Sequence, residues 1–256
     1  MQPDERGFYE INENWERFVL TPELAEKARA LMAMVPPGVR RVLDVGCGNG
    51  VITHELARQL EVVGIDWSRA ALSFVRVPRI CASSAALPVR AGAFDLLFCS
   101  EMLEHLLEHD FLDTLDEFRR LGTPYLLLSV PNGENLQLNE LLCRDCGRVF
   151  NASRHQRRFT AESLAAHFPE YRLLRAAEGG RGVRAYPTGL LRLRQRLGGR
   201  RFQVPEGRIA MCPGCGNRSF PRSRHNPVSL CCDGLNRLIS RRRPYWLYAL
   251  LARQAE

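Results

Sequence analysis

The stretch Arg41–Gly50, RVLDVGCGNG, decides the fold of this chain. Residues 41–45 have the length and apolar character of a short strand, and the run ends in three glycines at alternate positions, Gly46, Gly48 and Gly50. Glycine permits the positive φ angles and the close backbone approach that a tight strand-to-helix turn around a ligand requires. The helix predicted next, Val51–Leu60, would direct its first N–H groups towards a polar or anionic ligand. The stretch therefore predicts a strand, a ligand-binding turn and a helix.

A second predicted strand, Glu61–Ile65, ends in Asp66, sixteen residues after Gly50. A carboxylate at the end of this strand is well placed to accept hydrogen bonds from a ribose. Strand and helix patterns then alternate, which is typical of a parallel sheet with helices on both faces. The further predicted strands are Ile80–Ala82, Ala93–Cys99, Tyr125–Val130, Tyr171–Ala176 and Tyr245–Ala252. The further predicted helices are Ser68–Val75, Phe111–Leu121 and Thr160–His167.

The pattern Asp44-x-Gly46-x-Gly48-x-Gly50 resembles the first motif of the class I S-adenosylmethionine (SAM)-dependent methyltransferases. A dinucleotide-binding enzyme more often has G-x-G-x-x-G and lacks an aspartate two residues before the first glycine. The resemblance implies an α/β, Rossmann-like fold with seven mostly parallel strands, and SAM as the cofactor.

The resemblance also implies which residues contact the cofactor. In the first motif these are Asp44 and the backbones of Gly46, Cys47 and Gly48, at the amino-acid part of SAM. In the second strand, Asp66 would bind the ribose hydroxyls, and Trp67 beside it would lie against the adenine.

Leu87-Pro88 resembles the L-P pair that ends the third motif of the family. Family members often place an aspartate before this pair to bind the adenine amino group. This chain has Ser83 at the aligned position and Ser84 beside it. The departure weakens the adenine assignment locally and leaves the first motif unaffected.

Residues 94–105, FDLLFCSEMLEH, resemble the fourth motif, in which a strand delivers its last residues to the reacting methyl group. The resemblance places Ser100 and Glu101 at the cofactor. His105 is a candidate general base, because imidazole accepts a proton from a substrate hydroxyl near neutral pH. The alternative is a structural His105 that hydrogen-bonds the backbone near the cofactor.

A metal-dependent alternative rests on the E-x-x-E-H spacing of Glu101, Glu104 and His105. This spacing resembles the metal ligands of the small-RNA 3′-terminal 2′-O-methyltransferases, with His155 as the further histidine. The same spacing is widespread among class I methyltransferases that bind no metal, and the sequence around His155 does not reproduce that family's histidine context.

Two C-x-x-C-G segments, Cys143–Gly147 and Cys212–Gly216, are the most distinctive feature of the remaining chain. C-x-x-C followed by glycine is the knuckle of a zinc ribbon, in which thiolates surround one tetrahedral Zn²⁺. A shared, structural zinc would have the ligands Cys143, Cys146, Cys212 and Cys215. Because loops leaving parallel strands emerge at one edge of a sheet, we expect this zinc to hold both segments as a lid over the substrate side. The alternatives are buried reduced cysteines, and replacement of one ligand by Cys231 or Cys232.

A chain of 256 residues is long enough for one domain with an insertion. The expected division is a helical lead-in over residues 1–40 and a SAM-binding domain over 41–176 and 244–256. An arginine-rich, zinc-ribbon-like cap over 177–243 would share the zinc site with 143–146. A cap is expected because the interval between the last two strands is too long for a hairpin.

The formal net charge of +8 is concentrated in the second half of the chain. From Arg181 to Arg243 there are fifteen arginines, against the acidic residues Glu206 and Asp233 alone. Such a surface suits nucleic acid, phosphorylated substrates or an anionic membrane, and a solvated basic face is the alternative. No apolar run reaches the roughly 18 residues that span a bilayer, and residues 1–18 do not resemble a secretory signal. We expect a cytoplasmic protein.

The sequence therefore predicts a SAM-dependent methyltransferase that transfers a methyl group to an oxygen or nitrogen. The expected acceptor is a small molecule or a carbohydrate-linked metabolite. Two alternatives stay open: an RNA methyltransferase whose arginines hold phosphates, and a non-catalytic module that binds SAM or nucleic acid. The oligomeric state stays open as well.

Overall fold

The computed structural model describes residues 5–199, 203–204, 209–220 and 224–254, in two compact units. We call the first the sheet unit; it comprises Tyr9–Asn132, Phe159–Arg181 and Pro244–Glu256. The second, the cysteine unit, comprises Met1–Phe8, Gly133–Arg158 and Gly182–Arg243. Some charged residues of the arginine-rich stretch lie outside the described residues: Arg200, Arg201, Glu206, Arg208 and Arg222.

Helices and strands alternate along the sheet unit, as the sequence predicts. The bounds that follow cover the elements of both units. The helices are α1 Glu5–Tyr9, α2 Asn12–Glu16, α3 Pro22–Met32, α4 Val51–Leu56, α5 Arg69–Leu72, α6 Glu108–Leu121, α7 Ala161–Ala166, α8 Thr188–Arg196 and α9 Pro227–Ile239. The strands are β1 Arg41–Val45, β2 Glu61–Asp66, β3 Arg79–Cys81, β4 Leu96–Ser100, β5 Tyr125–Pro131, β6 Glu140–Leu142, β7 Val149–Asn151, β8 Tyr171–Arg184 and β9 Arg242–Arg253. Two 3₁₀ turns cover Leu103–His105 and Leu136–Asn139.

Seven strands form one sheet in the order β3-β2-β1-β4-β5-β9-β8. The pairs from β3 to β5 are parallel, and β9 runs antiparallel to β5, so that Tyr125 lies opposite Ala252 and Pro131 opposite Trp246. This confirms the predicted seven-stranded, mostly parallel, Rossmann-like sheet. The chain passes from β1 outwards to β3 and then returns to β4 on the other side of β1. Ligands of open α/β sheets bind at such a change of direction, beyond the carboxyl ends of the strands.

Alternate residues of the central strands point to opposite faces of the sheet and enter two separate cores. Leu43 and Leu97 belong to the core that α6 and α7 cover, whereas Val42 and Phe98 belong to the core under α3 and α4. This period of two follows from strand geometry. Because both faces are buried, the strands are apolar throughout, which is what made them recognisable in the sequence.

Side-chain caps fix the starts of three helices, and two of these, α5 and α7, begin where the sequence predicted them. The hydroxyls of Thr21, Ser68 and Thr160 accept backbone N–H groups of the first turns of α3, α5 and α7. Satisfying these otherwise unpaired donors stabilises each helix by about 1 kcal/mol. The ends are less predictable: α4 stops at Leu56 rather than Leu60, and β8 continues past Ala176 to Arg184.

The units divide the chain differently from the expected domains. Most of the lead-in, Tyr9–Arg40, falls in the sheet unit, and residues 133–158 fall in the cysteine unit together with 182–243. In the cysteine unit, β6 and β7 form an antiparallel hairpin, and α8 lies against α9. Arg194 of α8 binds Asp233 of α9 at 2.7 Å. Within the described residues, no helix has the length and apolar character to cross a membrane.

Candidate functional site

The turn between β1 and α4 has the glycine-dependent geometry that the sequence predicts. Gly46 and Gly48 have φ angles of +78° and +54°, in the left-handed region. A Cβ on Gly46 would lie 2.5 Å from Cγ of Met102, so glycine is also required there for close approach to the segment after β4. The N–H groups of Gly46 and Cys47 both donate to the carbonyl of Ile65, which joins the ends of β1 and β2.

Asp44, at the end of β1, is buried beneath this turn. Its carboxylate accepts the hydroxyl of Thr53 at 2.7 Å. Burial raises its pKa from 3.8 to about 7, although the Thr53 hydrogen bond acts in the opposite direction. Asp44 is therefore a carboxyl group that gains or loses its proton near neutral pH.

Asp66 ends β2 and reaches back to the glycine turn. Its carboxylate accepts the N–H of Gly48 at 2.9 Å and the N–H of Ser68 at 2.9 Å. Burial raises its pKa, and these backbone donors oppose the rise. A carboxylate has about four acceptor positions, so Asp66 retains capacity for further donors such as ribose hydroxyls.

An N-terminal segment, Tyr9–Phe18, lies over the same edge of the sheet. The side-chain amide of Asn49 donates to the carbonyls of Trp15 and Phe18 at 2.8 and 2.6 Å. A Cβ on Gly48 would lie 3.0 Å from the Trp15 ring. Phe18 itself is 48% exposed, which argues against core packing for this ring. Asn49 was not among the predicted site residues, and its position inside the glycine motif was the available signal.

The predicted adenine-side residues surround the ends of β2 and β3. The Trp67 ring lies 5.7 Å from the ring of Tyr9. The Ser84 hydroxyl pairs with that of Thr114 on α6 at 2.7 Å. The Ser83 hydroxyl accepts the N–H of Ala85, and buried Leu87 donates its N–H to Glu117. Both serines therefore stabilise the loop after β3.

Glu101, the first residue after β4, is held by three donors. Lys27 of α3 lies 3.1 Å from its Oε1, and the Ser129 hydroxyl donates to the same oxygen at 3.0 Å. The Trp246 ring N–H donates to Oε2 at 3.2 Å, and the Lys27 ammonium lies 4.6 Å from the centre of the Trp246 ring. Glu101 has a φ of +55°, which is uncommon for a residue with a side chain. Lys27 and Trp246 were not predicted from the sequence.

His105 lies in the 3₁₀ turn after β4, with 24% of its side chain exposed. Its ring stands edge-on to the Tyr9 ring, with 6.2 Å between the ring centres. Tyr9 thus contacts both the predicted adenine neighbour Trp67 and the predicted base. His109, one turn further on, is exposed beside Asp110.

The cysteine unit contains the predicted four-cysteine cluster as a separate site. The sulfur atoms of Cys143, Cys146, Cys212 and Cys215 all lie within 4.8 Å of one another. Cys231 and Cys232 lie on α9 and do not belong to this cluster. In the same unit, Nδ1 of buried His155 pairs with the carboxylate of Glu134.

Residues 42–124, which lie in the sheet unit, match the family model described as a methyltransferase domain. Among curated proteins, the ubiquinone biosynthesis O-methyltransferase of Hahella chejuensis is 40% identical over 82 residues, or 27% of this chain and 34% of that protein. The protein of the same name from Alkalilimnicola ehrlichii is 33% identical over 127 residues, or 37% and 51%. The chain thus spans about a third to a half of the length of these relatives.

Solved structures give the same fold over a larger share of the chain. A SAM-dependent methyltransferase from Archaeoglobus fulgidus has a TM-score of 0.53 at 15% identity, covering 90% of this chain and 93% of that one. The 1,6-didemethyltoxoflavin-N1-methyltransferase of Burkholderia thailandensis, solved with bound 1,6-didemethyltoxoflavin and S-adenosylhomocysteine (SAH), has a TM-score of 0.52 at 18% identity, covering 98% of this chain and 87% of that one. At such identities the likeness shows the fold alone.

The fold, the matched domain and the curated relatives together confirm the resemblance found in the sequence. Residues 42–124 are similar to a methyltransferase domain, and the sheet that contains them has the Rossmann-like fold of the class I SAM-dependent methyltransferases.

Proposed function

We propose that this enzyme transfers the methyl group of SAM to an oxygen or nitrogen of a small-molecule or carbohydrate-linked acceptor, with a hydroxyl oxygen favoured. The observation that carries the proposal is the junction of β1, β2 and β4, where the glycine turn, Asp66 and the segment after Glu101 meet at one edge of the sheet. The O-methyltransferase names of the curated relatives support oxygen as the acceptor atom.

The residues at this edge suit SAM as a ligand. Its positively charged amino group and sulfonium would be attracted by the carboxylates of Asp44 and Glu101. The turn itself would offer close backbone approach to the amino-acid part, since the N–H groups of residues 46–48 already donate to Ile65 and Asp66. Asp66 has acceptor capacity left for the ribose hydroxyls, and Trp67 offers a flat surface for the adenine. We assign Ser83, Ser84, Leu87 and Ser100 to the wall of the same site.

When bound, SAM would supply an electrophilic methyl group for in-line transfer to the acceptor. The protein contributes mainly by positioning the acceptor and excluding water. We assign His105 the role of accepting the proton that the hydroxyl loses, since neutral imidazole is a base near pH 7. Tyr9, which touches both Trp67 and His105, would limit the space for the acceptor between them.

RNA is the second candidate acceptor, and the arginine-rich stretch of the cysteine unit is what favours it. Several of its arginines, however, already have partners within that unit. Arg194 binds Asp233, Arg184 donates to the carbonyls of Arg237 and Ser240, and Arg243 donates to the carbonyl of Gly133. The Arg194–Asp233 pair offsets one positive charge, and the carbonyl contacts occupy guanidinium donors of Arg184 and Arg243 that phosphates would otherwise use. The proposed cytoplasmic location rests on the sequence expectation.

The test begins with calorimetry of SAM and SAH on the full chain. Methyl-labelled SAM is then offered with hydroxylated aromatic and sugar-linked compounds on one side and total RNA on the other. Label in low-mass products supports the proposal. Label in RNA, with a binding constant that weakens steeply with salt, would replace it with the RNA alternative. SAM binding with no labelled product would favour the non-catalytic module.

The role of His105 has its own matched control in the chain. His105→Ala is expected to leave SAH affinity unchanged, to lower kcat by about 10²–10⁴-fold, and to remove the rise of kcat near neutral pH. The exposed His109→Ala is expected to change none of these. Full activity of His105→Ala with the true acceptor would exclude the base and leave the methyltransferase proposal standing.

A further inference from the structure

Two turns of the cysteine unit, Cys143–Arg148 and Cys212–Asn217, have the same backbone geometry. In each, the N–H of the first cysteine donates to the carbonyl five residues later, at 2.9 Å in the first turn and 2.8 Å in the second. In each, the glycine after the second cysteine donates to the carbonyl of the first cysteine at 2.9 Å. The φ angles of these glycines are +72° and +76°. Turns of this shape direct both cysteine side chains to one side.

The four sulfur atoms have the spacing of a single tetrahedral metal centre. Cys143 Sγ lies 3.5 Å from Cys215 Sγ, and Cys146 Sγ lies 3.5 Å from Cys212 Sγ. All four atoms lie within 4.8 Å of one another. With zinc–sulfur bonds of about 2.3 Å, the edges of a regular tetrahedron measure about 3.8 Å. The observed spacing brackets this value.

The distances between the sulfur atoms distinguish a site for a single metal ion from a disulfide and from a four-iron cluster. A disulfide requires sulfur atoms about 2.05 Å apart, well below the closest pairs here. The thiolates of a four-iron cluster bind four different irons around a bulky core, which requires wider spacing than a single ion does. A tetrahedral set of four sulfurs indicates zinc or an iron–sulfur centre, and the close spacing favours a single ion.

Donors around the sulfurs suit thiolates. Cys212 Sγ accepts the N–H of Gly214 at 3.4 Å, and Cys143 Sγ accepts the side-chain amide of Asn217 at 3.7 Å. Asn217 belongs to the second turn, so it links the first cysteine of one turn to the backbone of the other. Hydrogen bonds of this kind orient metal ligands and spread their negative charge. In both turns the first cysteine is buried and the second is exposed.

The apolar core around these turns is small. Among the described residues it consists of Leu141, Phe150 and Ala210 packed with Cys143 and Cys212. A core of this size supplies little stability, and small folds of this kind commonly depend on a metal or disulfide. A shared ion would join two segments whose facing cysteines, Cys146 and Cys212, are 66 residues apart in the sequence.

We propose that Cys143, Cys146, Cys212 and Cys215 bind one Zn²⁺ ion that holds the two turns together and takes no part in methyl transfer. Four thiolates fill the tetrahedral coordination sphere and leave no position for a substrate. The ion therefore acts as a structural cross-link, and removing it should unfold the cysteine unit without emptying the SAM site.

The experiment is metal analysis of the untagged full chain, grown with zinc and purified without chelators. One zinc ion per chain is expected, with four more thiols reacting after a chelator is added than before. Exchange for Co²⁺ is expected to give the intense visible absorption of a tetrahedral four-thiolate centre. Cys143→Ser and Cys212→Ser are expected to lose the zinc, whereas the exposed Cys231→Ser on α9 keeps it.

Calorimetry with SAH on the same samples separates this proposal from the proposed function. Retained SAH affinity in the zinc-depleted protein, with increased protease cleavage within residues 133–158 or 182–243, supports a structural zinc. Absence of metal, iron in place of zinc, or two disulfides found by mass spectrometry would each overturn the assignment. The cobalt spectrum requires no variant, so misfolding of Cys143→Ser would not remove the test.

Discussion

Replacing Gly46 with alanine tests whether the first motif depends on close approach as well as on backbone freedom. The φ of +78° disfavours alanine by about 1–2 kcal/mol. The new Cβ would also lie 2.5 and 2.8 Å from Cγ and Cβ of Met102. Because the Cβ of Met102 is fixed to its own backbone, rotation of the Met102 side chain alone cannot relieve the overlap. Overpacking of this kind adds about 1–3 kcal/mol, so Gly46→Ala should lower the free energy of unfolding by about 2–5 kcal/mol.

Gly92 provides the matched control, because it has a φ of +70° and a Cβ placed on it would meet no atom of the described residues within 4 Å. Gly92→Ala should therefore cost only the conformational part, about 1–2 kcal/mol. In Gly46→Ala/Met102→Ala the overlap shrinks and part of the lost stability should return. Urea unfolding of the variants gives these differences, and calorimetry should show at least tenfold weaker SAH binding for Gly46→Ala alone. Equal effects of Gly46→Ala and Gly92→Ala on both measurements would refute the close-approach argument.

Three further substitutions test the surroundings of the site. Lys27→Met leaves the partly exposed Glu101 carboxylate without its cation and should lower the free energy of unfolding by about 1–3 kcal/mol, since breaking an ion pair with a buried member is costly. The double variant Lys27→Met/Glu101→Gln should recover part of this loss. If the effects of the two single substitutions simply add, the pairing is contradicted. The raised pKa of Asp44 means that the folded state holds more protons than the unfolded chain between about pH 4 and pH 7, so stability should fall as pH rises through this range. In Asp44→Asn this fall should be smaller by about 2–3 kcal/mol between pH 5 and pH 8, measured by denaturant unfolding without ligand. Trp15→Ala should speed SAH dissociation several-fold in stopped-flow measurements, while Phe18→Ala, with its exposed ring, should not; equal rates would argue against a covering role for the segment.

The parts of the fold that were predictable depend on contacts close in sequence. The glycine turn is specified by the residues between Asp44 and Asp66, and strand periodicity follows from burial on both faces. The extension of β8 depends instead on a distant strand. Its last residues, EGGRGVR, contain three glycines and have little strand propensity. A Cβ on Gly179 would lie 2.4 Å from the Tyr248 hydroxyl, and one on Gly180 would lie 2.5 Å from the Trp246 ring. These glycines are needed because large aromatic side chains of β9 approach them.

The partners of Glu101 were also not predictable, because they are distant from it in the sequence. Lys27 lies on α3 and Trp246 on β9, at sequence separations that no local pattern connects. The available signal was compositional, since Lys27 is the only lysine among thirty-six basic residues. An arginine in its place would carry a larger, planar head group with five donors, whereas the ammonium is compact enough to fit between Glu101 and the Trp246 ring. An overall bias towards arginine accounts for the other basic residues. It does not explain Lys27, whose contacts with Glu101 and Trp246 do.

Helix α9 was missed because its buried side is the less apolar one. Ser229, Cys232 and Asn236 are buried, whereas Leu235 and Leu238 are exposed, Leu238 by 85%. Asn236 accepts the hydroxyl of Ser240, so its polar group is satisfied inside. A hydrophobic pattern alone would assign the leucines to the core.

The side of α9 that is buried in the structure and the side that a hydrophobic pattern would bury predict opposite effects of substitution. From the structure, Leu238→Gln should change the free energy of unfolding by less than about 0.5 kcal/mol. Asn236→Leu should lower it by about 1–3 kcal/mol, because the Ser240 hydroxyl then loses its acceptor. Urea unfolding with intact zinc would compare them. A larger loss of unfolding free energy for Leu238→Gln than for Asn236→Leu would mean that the leucine face of α9 is covered in solution. Its apolar residues would then be buried, as apolar residues usually are.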